Sequence, residues 1–157
     1  MARHKLKKKK LLLSDPIYNS NLIQLLTNNI LKKGKKTLAY NIVNQTLKFI
    51  EQKGHEDAIE IFDKAINNLR PAVEIKTKRI GGAVYKIPIE INYYRSLTLA
   101  IQLLLKASHA KIGTKFYIKL ATEIMDASQN TGFAIRKKDE MHRIAESNIK
   151  IKKQMKL

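Results

Sequence analysis

Cysteine is absent from the 157 residues, which excludes disulfides and thiolate metal sites and leaves the redox compartment open. Long apolar runs are missing too. Stretches such as Leu103-Leu104-Leu105 fall far short of the ~20 residues that a membrane-spanning helix needs. The opening MARHKLKKKKLLLSD has too few leucines for the apolar part of a signal peptide, and no small-residue cleavage site follows. It also lacks the serine- and arginine-rich lead of a transit peptide, so no targeting leader is expected. Proline is scarce, and its three occurrences act as punctuation. Asp15-Pro16 marks a turn, Pro71 closes a helix, and Pro88 places its strand at an edge or a bulge. The most telling shortage is of acids. Thirteen Asp and Glu face thirty-one Lys and Arg, for a formal net charge of +18 and a pI near 10.1.

Self-repulsion of that size is costly to a lone compact chain, and a polyanion relieves it. Nucleic acid is the leading partner and an anionic membrane surface the second. The ordinary apolar content, 44%, means a folded chain rather than a solvated tail, and the length fits one domain, residues 1–157, with a single core.

Along the chain the dominant period is helical. Residues 1–13 carry six cations, Arg3, Lys5, Lys7, Lys8, Lys9 and Lys10, and no acid, so they read as a basic arm that orders on a polyanion. From about Ser20, Leu22, Leu25/Leu26 and Ile30 keep helical spacing as far as Gly34. A second helix uses Leu38/Ala39, Ile42/Val43, Leu47 and Ile50 and stops at Gly54. A third uses Ala58, Ile61/Phe62, Ala65 and Leu69 and ends before Pro71. Helical spacing resumes near Arg95, and from Leu97 to Ala107 almost no polar face is left, as expected of a central, buried helix. A fifth helix runs from about Lys115 to Asn130 and a sixth from about Lys137 to Lys153. The expected fold is mainly α: a six-helix bundle-like body with one protruding β-hairpin between the third and fourth helices, plus basic N- and C-terminal extensions (1–13 and 149–157). No internal repeat is present.

The hairpin is read from a change of period at residues 73–91. Val73 and Ile75 alternate with polar residues, as do Ile87, Ile89 and Ile91, around Gly81-Gly82. Strands of about eight residues reach roughly 26 Å, beyond one helix layer. Only the base has apolar residues to seat on a body. The distal part offers Lys76, Lys78, Arg79, Tyr85 and Lys86, with Ile80, Gly81, Gly82 and Ala83 at the tip, so it reads as an arm projecting into a charged partner. A two-residue turn with unbroken pairing would set Ile75 opposite Pro88 and Val73 opposite Glu90. A one-residue slip would align the apolar residues instead, so a bulge or odd-length loop is expected between Thr77 and Lys86.

Catalytic motifs are lacking. His142 and Glu146 lie one helical turn apart with no metal-ligand spacing around them, and read as a surface pair. His4, His55 and His109 are isolated. Asp139-Glu140 reads as acids decorating a helix start. Tyr93-Tyr94 read as core or rim packing and Tyr85 as the better base-stacking residue. The lysine runs weigh more. Besides the arm and the hairpin they comprise Lys32, Lys33, Lys35 and Lys36, and Arg136-Lys137-Lys138 with Arg143, while five of the thirteen acids (Glu51, Glu56, Asp57, Glu60, Asp63) crowd around the third helix. That polarity points to one face for nucleic acid and an opposite face turned away from it.

The segments SDPIY (14–18), ILKKGKKTLAY (30–40), RPAVEIKTKRIGGAVYKIPIEI (70–91) and AIRKKDEMHRIAESN (134–148) resemble protein seven of the small ribosomal subunit, bacterial and plastid type, over nearly the whole chain. The resemblance implies a helical body with a projecting hairpin. It implies binding to the 3′ major domain of small-subunit rRNA, organisation of subunit-head assembly, and a place near the exit-site tRNA and the mRNA exit. Small-subunit proteins nine and eleven would be neighbours, and no reaction would be catalysed. The rRNA-binding residues so implied are the cations already named together with Arg95, Lys111, Lys115 and His142, and the hairpin tip would face the platform and the exit site. No cofactor, metal, membrane or homo-oligomer is expected.

Three departures stand out: Gln102-Leu103 where relatives often have Arg-Trp, Ala83 after the two glycines, and a lysine-rich ending. The Lys, Asn and Ile usage points to a plastid or relic plastid ribosome, with a mitochondrion or a bacterial cytoplasm as alternatives. Two other classes of function stay open: a free-standing nucleic-acid chaperone, and a small metal-dependent nuclease built on Asp139, Glu140 and His142.

Overall fold

The computed structural model describes residues 14–53, 57–80 and 82–154. The N-terminal arm, the helix stop at Gly54, Glu56 and the last three residues of the basic ending lie outside them. The described chain runs α1 (Asn21–Ile30), α2 (Lys36–Gln52), α3 (Ala58–Leu69), β1 (Val73–Ile80), β2 (Ala83–Glu90), α4 (Tyr93–Ala110), α5 (Phe116–Ser128) and α6 (Phe133–Gln154).

Local chemistry sets most of the boundaries. Asp15, almost fully buried, accepts the N–H groups of Ile17 and Tyr18 at 3.1 and 3.0 Å, which makes the SDPIY segment a tight lead-in to α1. The Ser20 hydroxyl then caps α1 and the Asp57 carboxylate caps α3, accepting from Ile59 and Glu60. α1 ends before the expected Gly34, because Leu31 already turns extended and Lys33 and Gly34 both take positive φ, 53° and 75°.

The first correction concerns α6. It begins at Phe133, about a turn before the expected Lys137. Its first turn is capped from another helix: the fully buried Glu123 carboxylate of α5 accepts the Ala134 N–H at 2.7 Å. Gly132, at φ +96°, lets the chain pass close enough, since a Cβ there would sit 3.0 Å from both Asp126 Cβ and Glu123 Oε1.

The second concerns the centre of the body. α4 packs on α1, α3, α5 and α6, as its apolar pattern implies. α5 is as deeply embedded, touching α2, α3, α4 and α6. Phe62, Ile66 and Leu69 of α3, Ile101 and Leu104 of α4, and Leu120 and Ile124 of α5 are fully buried in one core cluster with Ile23, Leu26, Leu47 and Ile50. Each such side chain contributes about 1.5–3 kcal/mol of burial free energy. α4 keeps Leu99, Gln102 and Leu103 only half-buried, so the centre is shared.

The third correction is the hairpin register. Pairing runs without interruption from Val73↔Glu90 through Ile75↔Pro88 and Thr77↔Lys86 to Ile80↔Ala83, leaving a two-residue connection and no bulge. The expected slip treated Pro88 as a polar interruption. In the structure Pro88 is buried beside Ile87, and both strands rest on α6. Ile75 and Pro88 thus form an apolar pair on one face, while Ile87 is covered on the other. Counting outward from Ile80↔Ala83, the Ile75↔Pro88 pair falls at a non-hydrogen-bonded site, so the missing proline N–H interrupts no ladder bond.

Candidate nucleic-acid interface

The α1–α2 loop is a reversal of five residues, 31–35, whose geometry pushes cations outward. Lys35 N–H donates to Lys32 O and Lys36 N–H to Gly34 O, and with Lys33 and Gly34 at positive φ the side chains of Lys32, Lys33, Lys35 and Lys36 are all exposed. Among the described residues no carboxylate pairs with them. Lys36 lies over the Tyr40 ring at 5.6 Å from its centroid. Beside the loop a groove of about 400 Å³ is rimmed by Lys32, Lys33 and Lys35 and floored by Leu38, Ile42, Leu105, His109 and Phe116. His109 stacks on Phe116 at 4.6 Å. Burial, then the positive charges of Lys32 and Lys119, hold its pKa below the usual histidine value. Lys115, at the start of α5, is exposed.

The hairpin carries the second group. Because paired residues share a face, Lys76, Lys78 and Tyr85 project to one side and Arg79 and Lys86 to the other. All four cations are exposed, and none is paired with an acid among the described residues. Its base is clamped twice. Arg95 at the start of α4 grips Glu74 with a fork of bonds at 2.6 and 3.2 Å. His142 Nε2 on α6 accepts the Ala72 N–H at 3.3 Å. The bond to Arg95 holds Glu74 below the ordinary carboxylate range.

The third group is on α6. Arg136 and Arg143, two turns apart, are exposed. Lys137 is paired with Glu140 at 2.7 Å, and Lys138 donates to the Asn68 carbonyl at 2.7 Å. Lys111 is engaged inside the body, 2.7 Å from Glu123 and 3.2 Å from Asp126. The cations named from the sequence therefore divide. Those of the α1–α2 loop, the hairpin, Lys115, Arg136 and Arg143 are exposed with no acidic partner among the described residues, while Arg95, Lys111 and Lys138 tie separate elements together and Lys137 pairs within α6. Asp139, Glu140 and His142 do not converge. Among the described residues no three His, Asp or Glu form a group that could hold a metal ion.

The far end of α2 is mixed in charge, with Glu51 exposed between Lys48 and Lys53. That helix spans 17 residues, about 25 Å, with the lysine loop at its start and Glu51 near its end. Tyr18 lies there too, its pKa raised by burial and then by Glu51 and Asp15. Asp63 is likewise raised, by burial first and Asp57 second.

The family model for ribosomal protein S7p/S5e matches residues 1–149. The chain belongs to this family. The match stops where the lysine-rich ending begins. Similar curated proteins are named small ribosomal subunit protein uS7c. That of Bigelowiella natans is 47% identical over 150 residues, with 94% of each chain covered. That of Cyanophora paradoxa is 43% identical over 148 residues, with 94% of this chain and 95% of the relative covered. That of Prototheca wickerhamii is 40% identical over 154 residues, with 98% and 99% covered. The chain is a small-subunit ribosomal protein of this family.

Some features of the family member's surface were not legible in the sequence. Arg70 follows α3 directly and lies over the Tyr93 ring, 4.4 Å from its centroid. Tyr93 and Tyr94, expected to pack, are 53% and 76% exposed. They occupy the first two positions of α4, one turn before the core stripe of Leu97, Ala100, Ile101 and Leu104 begins. Tyr85, expected to stand free, is partly covered. His109 and Phe116 meet across a loop, so no helical spacing advertises them.

Proposed function

We propose that this protein is a structural constituent of the plastid small ribosomal subunit that binds the 3′ major domain of its rRNA and organises assembly of the subunit head. The observation carrying this reading is the family match over residues 1–149; the names of the similar proteins, uS7c, support the plastid assignment. The exposed, uncommitted cations of the α1–α2 loop, the hairpin and α6 supply the phosphate contacts. In this reading the hairpin tip reaches toward the exit-site tRNA and the mRNA exit, and proteins nine and eleven of the small subunit are neighbours.

Hydroxyl-radical footprinting of the small-subunit rRNA with and without the protein tests it. Protections clustered in the 3′ major domain are the expected result. Protections scattered over the RNA, with the protein sedimenting in the soluble pool rather than with subunits, would instead favour a free-standing chaperone and overturn the assignment.

A further inference from the structure

Two adjacent tyrosines at the head of α4 are left out of the core and out of the phosphate-contacting set. Tyr94 is 76% exposed and Tyr93 53%, although an aromatic ring of this kind brings about 150–250 Å² of surface that favours burial. Tyr93 is held in place, and Tyr94 rests against it. Tyr93 is held on one side by the Arg70 guanidinium, 4.4 Å from the ring centroid, and by the edge of Tyr94, at 5.7 Å and 87°. Arg70 is itself anchored, its Nε donating to Ser96 Oγ at 3.3 Å while that hydroxyl donates to the Tyr93 carbonyl at 2.7 Å. The neighbouring acid, Glu74, is neutralised by Arg95. Beyond that pair, on the same face of the hairpin, come Lys76, Lys78 and Tyr85, in rows about 6.8 Å apart.

We propose that Tyr94, backed by Tyr93 and Arg70, is a stacking platform for an unpaired RNA base, whose strand continues over Lys76 and Lys78 toward Tyr85. The inference rests on the rRNA-binding function proposed above and names the kind of RNA this part of the surface takes. A tyrosine side chain has few torsions to fix on binding, and its π-face accepts any base. Cations beside and beyond it match a sugar-phosphate backbone. Duplex RNA keeps its bases stacked inside the helix and cannot use the ring.

The test compares wild type with Tyr94→Leu and Tyr94→Phe, each checked for an unchanged Tm. The probes are a single-stranded oligouridylate of about a dozen nucleotides, an RNA duplex of the same length and heparin. Tyr94→Leu is expected to weaken single-strand binding about tenfold, the order of one base–aromatic stack, and Tyr94→Phe to stay within about twofold of wild type. Duplex and heparin affinities should not move. The Tyr94 ring protons should shift upfield when the oligouridylate binds. An unchanged single-strand affinity in Tyr94→Leu, or an equal loss for all three probes, overturns the platform while leaving the rRNA assignment intact. If wild type binds none of the probes in a salt-dependent way, the rRNA assignment falls with it. A defect of Tyr94→Leu confined to incorporation into subunits, with single-strand affinity intact, assigns the rings to a protein neighbour and equally overturns the proposal.

Discussion

Lys111 looks from the outside like one more basic residue on a basic protein, yet its ammonium is directed inward. Burial works against its charge, but hydrogen bonds to Glu123 and Asp126 outweigh that and hold its pKa above the ordinary lysine value. Glu123 is fully buried and also receives the Ala134 N–H, so removing the cation strands a charge that organises the α5–α6 junction. Lys111→Ala should cost about 3 kcal/mol, a fall in Tm of roughly 6–12 °C for a chain of this size. A phosphate-contacting lysine would instead lose RNA affinity at unchanged Tm, so paired melting and binding curves separate the two roles. Because the folded pKa is raised, the contribution is complete below the unfolded lysine pKa, about 10.4, and is lost as pH rises through the higher folded value. The Tm gap between wild type and variant should close there. Asp63 has the opposite sign. Burial and Asp57 raise its pKa, so its ionised form weakens the fold at neutral pH. Asp63→Asn should raise Tm by about a degree at pH 7, and the gain should vanish as acid protonates the wild-type carboxyl.

At the scale of elements, the hairpin divides at Ile87 and Pro88. Those two residues are buried where the base rests on α6, and the base is held by Arg95–Glu74 and His142–Ala72. Above them Thr77, Lys78, Arg79, Ala83, Val84 and Lys86 are all exposed. Replacing residues 78–86 by a short turn should therefore leave Tm within about 2 °C of wild type, while assembly of active subunits in a reconstitution assay drops. A large loss of Tm would mean that the distal strands support the body. The same element shows what a sequence can and cannot tell. Its existence and limits were legible from the switch to alternating isoleucines and lysines. Its register was not, since Pro88 reads as a breaker until α6 is seen covering it. Helices α1 to α5 were legible from the apolar spacing within each segment. The start of α6 was not, because its cap comes from Glu123 on another helix. The basic clusters were visible as runs, but a run does not say which lysine turns inward. Only the packing of α4 against α5 separates Lys111 from Lys115.

For the whole molecule, the relevant quantity is how cations at three separate places act together. If the α1–α2 loop, the hairpin and α6 engage about six to ten phosphates, affinity should fall roughly a thousand-fold or more between about 50 and 200 mM salt. A flat titration would remove the phosphate-clamp reading. Charge reversal sorts the faces. Lys35→Glu or Arg143→Glu should weaken specific rRNA binding clearly. Glu60→Lys, on the exposed side of α3, should leave it nearly unchanged apart from a modest gain in non-specific affinity. Specific binding abolished by Glu60→Lys would place α3 against the RNA.

The separation of charge along α2 has a kinetic consequence. With four exposed lysines at one end and, some 25 Å away, an end where Glu51 and Asp57, close in sequence, offset Lys48 and Lys53, a polyanion's field exerts a torque as well as a pull. The protein is turned loop-first before contact, over distances up to the Debye length, about 8 Å at physiological ionic strength. Collisions that would arrive with the charge-balanced end first are turned toward the lysine loop, so a larger share of encounters is productive. Replacing Glu51 and Asp57 with neutral residues would then raise total attraction yet reduce the fraction of collisions that dock in register. That trade is read in association rates against ionic strength rather than in equilibrium constants.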